Sequence, residues 1–62
     1  MFDVVAVDLK TLKVRLIAEN KTERDANAIE EMAVIRRGVK QEFFSAVKHG
    51  AYKEGQQWDG VK

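Results

Sequence analysis

The chain has 62 residues, with 11 Lys+Arg against 10 Asp+Glu, one His, no Cys and no Pro, and it is 45% hydrophobic and 34% charged. This length excludes a second domain. The absence of Cys excludes a disulfide framework and a thiolate metal site, and a net charge of +1 argues against wholesale electrostatic capture of nucleic acid. A chain this short buries only about 60% of the surface it exposes when unfolded. Its core alone rarely supplies more than about 3–5 kcal/mol, so stability is expected from compact packing or from a partner chain, and a homodimer is one option on this ground.

The first segment, Asp3-Val4-Val5-Ala6-Val7-Asp8-Leu9, is a continuous apolar run and predicts a strand over about 3–9, with its facing left open. In Leu12-Lys13-Val14-Arg15-Leu16-Ile17-Ala18-Glu19 the side chains alternate. Leu12, Val14, Leu16 and Ala18 fall on one face, Lys13, Arg15 and Glu19 on the other, and Ile17 breaks the pattern. This predicts a second strand over about 12–19, paired with the first as a hairpin. The favoured register sets Val7 opposite Val14 and Val5 opposite Leu16, which places Asp8 across from Lys13. Such an opposite-charge pair contributes a few tenths to about 1 kcal/mol. A slip by one residue would instead turn Phe2, Val4 and Ala6 inward. With no Asn-Gly or Asp-Gly, the connection reads as a loop of about four residues built on a type I turn, with Asp8 at its start.

A helix is expected over about 23–37. Thr22 fits the N-cap, with Asp25 as its capping-box partner. Glu23 and Asp25 place negative charge in the first turn and Arg36 and Arg37 positive charge in the last. Gly38 sits where a left-handed residue ends a helix. Ala26, Ala28, Ile29, Met32, Ala33 and Ile35 share one half of the helical wheel, and Val34 intrudes on the other. Such a helix is marginal alone and must dock. Gln41-Glu42-Phe43-Phe44-Ser45-Ala46-Val47-Lys48 then reads as a third strand over about 41–48, ended by His49-Gly50. The remaining 49–62 form an irregular tail with a turn at Gly55. Tyr52 and Trp58 bracket that turn, either as a lid on the core or as a contact surface. Val61 and Lys62 are expected to be disordered.

None of the chemistry-bearing residues forms a catalytic constellation. His49 is the sole histidine. Ser45 shares its strand face but lies roughly 13 Å away, too far for a nucleophile–base hydrogen bond. Glu30 and Glu31 diverge by about 100° on a helix. Gly38, Gly50, Gly55 and Gly60 match neither a P-loop nor a dinucleotide fingerprint. No catalytic, cofactor-binding or metal-ligating residue is assigned, and the chain reads as a non-enzyme without a cofactor. Asn20-Lys21-Thr22 fits the N-glycosylation pattern, but Thr22 is already engaged as a cap. Arg36, Arg37, Lys40, Lys48 and Lys53 would form a basic patch if the helix end lies near the third strand. Beside Phe44, Tyr52 or Trp58 it would grip a single-stranded nucleic acid, although Glu42, Glu54 and Asp59 interleave the same zone. No run approaches the roughly 20 apolar residues of a membrane span. Met1-Phe2-Asp3 carries an acid where a secretory signal carries basic charge, so a cytoplasmic protein with no membrane partner is expected.

Asn20-Lys21-Thr22-Glu23-Arg24 opening a helix, Arg36-Arg37-Gly38-Val39 closing it, then Glu42-Phe43-Phe44 and Tyr52-x-x-Gly55-x-x-Trp58, resembles a set of short uncharacterised proteins of bacteriophage and prophage genomes. That set carries no assigned activity, so the resemblance transfers no catalytic residue. It implies a small phage-type accessory protein that acts by binding in a bacterial host cytoplasm.

The expected architecture is a single small α+β domain, ordered strand–strand–helix–strand, with one helix on one face of a small antiparallel sheet. The expected core is Val5, Val7, Leu12, Val14, Leu16, Ile29, Met32, Ala33, Phe43 and Val47. An outer face carrying Val4 and Ile17, together with Tyr52 and Trp58, is the expected interaction surface. The favoured function is a protein-interaction module whose partner is another protein or itself, working by edge pairing or by burial of the outer face. The alternative is a nucleic-acid binder using the basic patch near the helix C-terminus.

Overall fold

The protein is described by a computed structural model over residues 1–38 and 41–59. Strands β1 (Phe2–Asp8) and β2 (Val14–Lys21) are followed by helix α1 (Glu23–Arg36) and strand β3 (Glu42–Lys48). The three strands form one antiparallel sheet in the order β2-β1-β3, and α1 packs on it. The α+β architecture read from the sequence is the one adopted.

The hairpin has the favoured register: Val7 opposes Val14 and Val5 opposes Leu16. Asp8 opens its turn as expected. One carboxylate oxygen accepts from the Lys10 and Thr11 N–H groups at 2.7 and 3.0 Å, and the Asp8 carbonyl accepts from the Leu12 N–H at 2.8 Å. Leu12 takes a left-handed φ of 59° to close the turn. That conformation lifts its side chain off the sheet, so Leu12 is exposed and leaves the expected core. The Asp8 carboxylate serves these turn amides, and Asp8 meets Lys13 through a backbone bond of 3.1 Å.

The pairing of β1 with β2 shifts twice, between Val4 and Val5 and between Phe2 and Val4. Each shift is a bulge that inserts one extra residue in β2. The first explains why Ile17 breaks the alternation: Val5 opposes Leu16 and Val4 opposes Ala18, which leaves Ile17 between them. The second lies beside Asn20, whose φ of 57° is one that Asn tolerates.

β1 is the central strand, and its ambiguous apolar run has a structural cause: both faces are covered. Val5 and Val7 pack with Val14 and Tyr52, and Leu16, Phe43, Val47 and Trp58 adjoin them. Val4 and Ala6 are equally buried but lie outside that cluster. They belong to the opposite face, where register places Ala18, Phe44 and Ala46 beside them. Ala33 of α1 lines one depression with Ile17 and Phe44 on that side. Val4 is therefore fully buried rather than part of an exposed outer face, because the helix lies over the even-numbered residues of β1. Ile17 is half-buried on the same side.

Thr22 caps α1 as expected, its hydroxyl accepting from the Asp25 N–H at 3.2 Å. Gly38 follows the helix with a left-handed φ of 65°. The buried stripe is narrower than half a wheel: Ala26 is fully buried, Ile29 and Ala33 half-buried, and Ala28 exposed. Met32, expected in the core, is 50% exposed, and Ile35 is 81% exposed. The reason is geometric. The stripe that faces the sheet is Ala26, Ile29 and Ala33, and at 100° per residue Met32 lies about 90° and Ile35 about 150° from its centre, so both turn outward.

Candidate protein-interaction edge

The two outer edges of the sheet differ. The last described segment runs along β2 and takes up the backbone groups that point away from β1. The Val14 N–H donates to Gln56 O at 2.8 Å, the Gly55 N–H to Val14 O at 2.7 Å and the Trp58 N–H to Leu12 O at 2.7 Å. Leu16 N–H finds the Glu54 carboxylate at 2.8 Å. Gly55 makes the turn that permits this, with a φ of 81°. Edge β2 is thus closed over residues 12–16.

Edge β3 is not covered in this way. The bonds that bracket its pairing with β1 are Leu9 N–H to Gln41 O and His49 N–H to Met1 O, each at 3.0 Å. In an antiparallel ladder these fix the parity: odd residues of β3 bond to β1, and even residues point their N–H and C=O away. The Glu42 carbonyl is taken by Arg37 Nη1 at 3.1 Å and the Lys48 carbonyl by the Ala51 N–H at 3.0 Å. Between them, Phe44 and Ala46 present outward N–H and C=O groups to which no described residue is bonded.

An open groove of about 970 Å³ follows this strand, walled by Phe2, Phe44 and Val47 and by the aromatic cluster Phe43, Tyr52 and Trp58. Trp58 stacks on Tyr52 at 5.0 Å and 24° and meets Phe43 edge-on at 5.4 Å and 78°. The Tyr52 hydroxyl donates to Asp59. That bond, with burial and the carboxylate charge behind it, holds the phenol above its ordinary pKa. Tyr52 is therefore buried as a core lid, and Trp58 is half-buried at the groove wall. Of the expected interaction residues, Trp58 is the one that lines this groove with exposed surface; Val4 and Ile17 lie on the helix side of the sheet.

A second cluster surrounds Asp3, which is only 1% exposed. Its carboxylate accepts from the Asn20 N–H at 2.8 Å, from His49 Nδ1 at 2.7 Å and from the Gly50 N–H at 3.0 Å. Burial pushes this carboxyl up. The His49 bond, the two backbone amides and the His49 charge together outweigh burial, and the net position lies below the usual carboxylate range. Because an ionised carboxylate can only accept, the proton of this bond sits on Nδ1. The cluster joins the start of β1 to the bulge at Asn20 and to the turn after β3, which is a fastening role. No Ser or Thr hydroxyl is bonded to the His49 ring among the described residues.

Among the described residues, Arg36, Arg37, Lys48 and Lys53 do not gather into one patch. Arg36 and Arg37 meet Arg15 around a depression of about 170 Å³ that also holds Glu42, and Arg15 pairs with Glu42 at 3.1 Å. Lys48 stands at the other end of the seven-residue β3, roughly 20 Å away at strand rise. Lys53 lies in the segment that covers the opposite face, where its N–H donates to the Gln56 side chain at 3.0 Å. Lys40, like Val61 and Lys62, lies outside the described residues.

Two features of the site escape sequence reading. One is Asp3, whose signal was an acid embedded in a valine run. The other is the closing of the β2 edge by the tail over residues 12–16, which sets it apart from the open edge of β3 among the described residues. Among the described residues no helix is long and apolar enough to cross a membrane. No protein-family model, no curated protein and no solved structure matches the chain.

Proposed function

We propose that this chain is a small non-enzymatic protein-interaction module, of the phage-type accessory kind its sequence resembles, that receives an extended strand along β3. The observation that carries the reading is the contrast between edges: β2 is covered by the chain's own tail, and β3 presents Phe44 and Ala46 with outward backbone groups beside an aromatic groove. Strand addition uses such an edge for affinity through main-chain bonds and such a groove for side-chain selection. The aromatic wall is of the residue type enriched among binding hot spots, and its Tyr52–Trp58 stack is held in place by the Asp59 bond before any partner arrives.

Photochemical capture in a bacterial host tests this. A benzophenone amino acid replaces Phe44 in one variant and the 81%-exposed Ile35 in another. Irradiation should give covalent adducts at position 44 and none above background at position 35. Adducts at 35 with none at 44 would refute an edge-pairing role.

A further inference from the structure

We infer that the strand received by β3 is β3 of a second copy of the chain, paired antiparallel about a two-fold axis through Ser45. The inference rests on the edge-pairing reading and deepens it by naming the partner and the register. Two three-stranded sheets would become one continuous sheet, with both helices on the same face, because directly opposed residues of an antiparallel pair share a face.

The sequence of β3, Glu-Phe-Phe-Ser-Ala-Val-Lys, is complementary to its own reverse. With Ser45 opposite the partner's Ser45, Glu42 faces the partner's Lys48 and Lys48 faces the partner's Glu42. Phe44 faces the partner's Ala46, a large side chain against a small one, and Phe43 faces the partner's Val47. Hydrogen-bond parity agrees independently. The residues with outward N–H and C=O are even-numbered, and this register opposes even residues to even residues, so Phe44 and Ala46 exchange both bonds with the partner's Ala46 and Phe44. The carbonyls of Glu42 and Lys48 each already accept one bond and retain a second lone pair.

Neighbouring registers lose this match. A slip by two residues sets Phe44 against the partner's Phe44, or Ala46 against the partner's Ala46, and in either case Glu42 no longer meets the partner's Lys48. A slip by one residue opposes outward groups to inward ones and brings no bonds at all. Charge, size and bonding parity therefore select one alignment. Arg15 already neutralises part of Glu42, which limits the contribution of each interchain ion pair and places the dimer in the weak class.

Single-cysteine variants read this register directly, since the chain has no Cys of its own. In a two-fold pairing only the residue on the axis meets itself, and Ser45 is in a non-hydrogen-bonded pair, where side chains approach most closely. Ser45→Cys, Phe44→Cys and Ala46→Cys are each oxidised with diamide, after circular dichroism of the reduced forms has shown the same fold. Ser45→Cys should form a covalent dimer of twice 7.1 kDa, faster than the other two by on the order of tenfold. Sedimentation of the unmodified chain should show mass doubling between about 1 μM and 1 mM, and Lys48→Glu should weaken it about tenfold. Equal rates in the three variants, a faster Phe44→Cys, or a monomer throughout that range would overturn self-pairing. If the benzophenone at position 44 then captures a different protein, edge pairing stands and the self-partner falls. If it captures nothing, both fall.

Discussion

Asp3 shows how one side chain can be both conspicuous and unreadable. A carboxylate inside a valine run invites a search for chemistry, yet its partners are the amide freed by the Asn20 bulge, the amide of the Gly50 turn and the His49 ring. None of these three could be inferred from local spacing, since they lie 17, 46 and 47 residues away. Asp8 is the contrasting case: its partners lie two and three residues on, and its place at the turn was legible. Because the folded pKa of Asp3 is depressed from 3.8, its contribution to stability is fully present above that value and is lost as pH falls through the folded value. Asp3→Ala should therefore destabilise the chain at neutral pH by about 1–3 kcal/mol, through the amides it leaves unsatisfied. It should also flatten the loss of stability below about pH 4. Urea unfolding at pH 7 and pH 3 checks both: a variant as stable as the parent at pH 7, or one with an undiminished acid slope, would remove the fastening role.

The secondary elements were legible where pattern and punctuation agreed. Val14 and Leu16 alternate with Lys13 and Arg15, so the hairpin register followed; Thr22 and Gly38 marked the ends of α1. The reading failed where tertiary contacts override periodicity. Met32 sits on the apolar half of the wheel, but the stripe that meets the sheet is Ala26, Ile29 and Ala33, about 90° away, and Met32 turns outward. The tail carries no strand pattern in Glu54, Gln56 and Gln57; its order comes from backbone and side-chain bonds to β2 and to the turn before it. This segment is held on by its aromatic pair as much as by those bonds. Trp58→Ala should remove the Tyr52 stack and the Phe43 edge contact together and lower stability by about 2–4 kcal/mol. The change is read from the denaturant midpoint by circular dichroism. A shift under about 0.5 kcal/mol, the size of an ordinary surface change, would mean that the tail does not close β2 in solution.

Among the described residues, the edge of β3 at Phe44 and Ala46 stays open while the tail closes the other edge along residues 12–16 of the chain. Helix α1 covers the even face of β1, the tail and its aromatics cover the odd face, and residues 54–58 cover the edge of β2. The sequence alone names edge pairing as the way a small sheet recruits a partner, but it does not choose an edge. It also placed an exposed apolar face at Val4, where the helix in fact lies. That choice depends on which strand is central, which local pattern does not encode. Residue-resolved amide hydrogen exchange at two concentrations tests this asymmetry most directly. In dilute solution the Phe44 and Ala46 amides should exchange on the order of 100-fold faster than those of Val14 and Leu16, and on concentration they should gain protection as the edge pairs. Phe44 and Ala46 protected in dilute solution, or Val14 and Leu16 exchanging as freely as they do, would contradict the account.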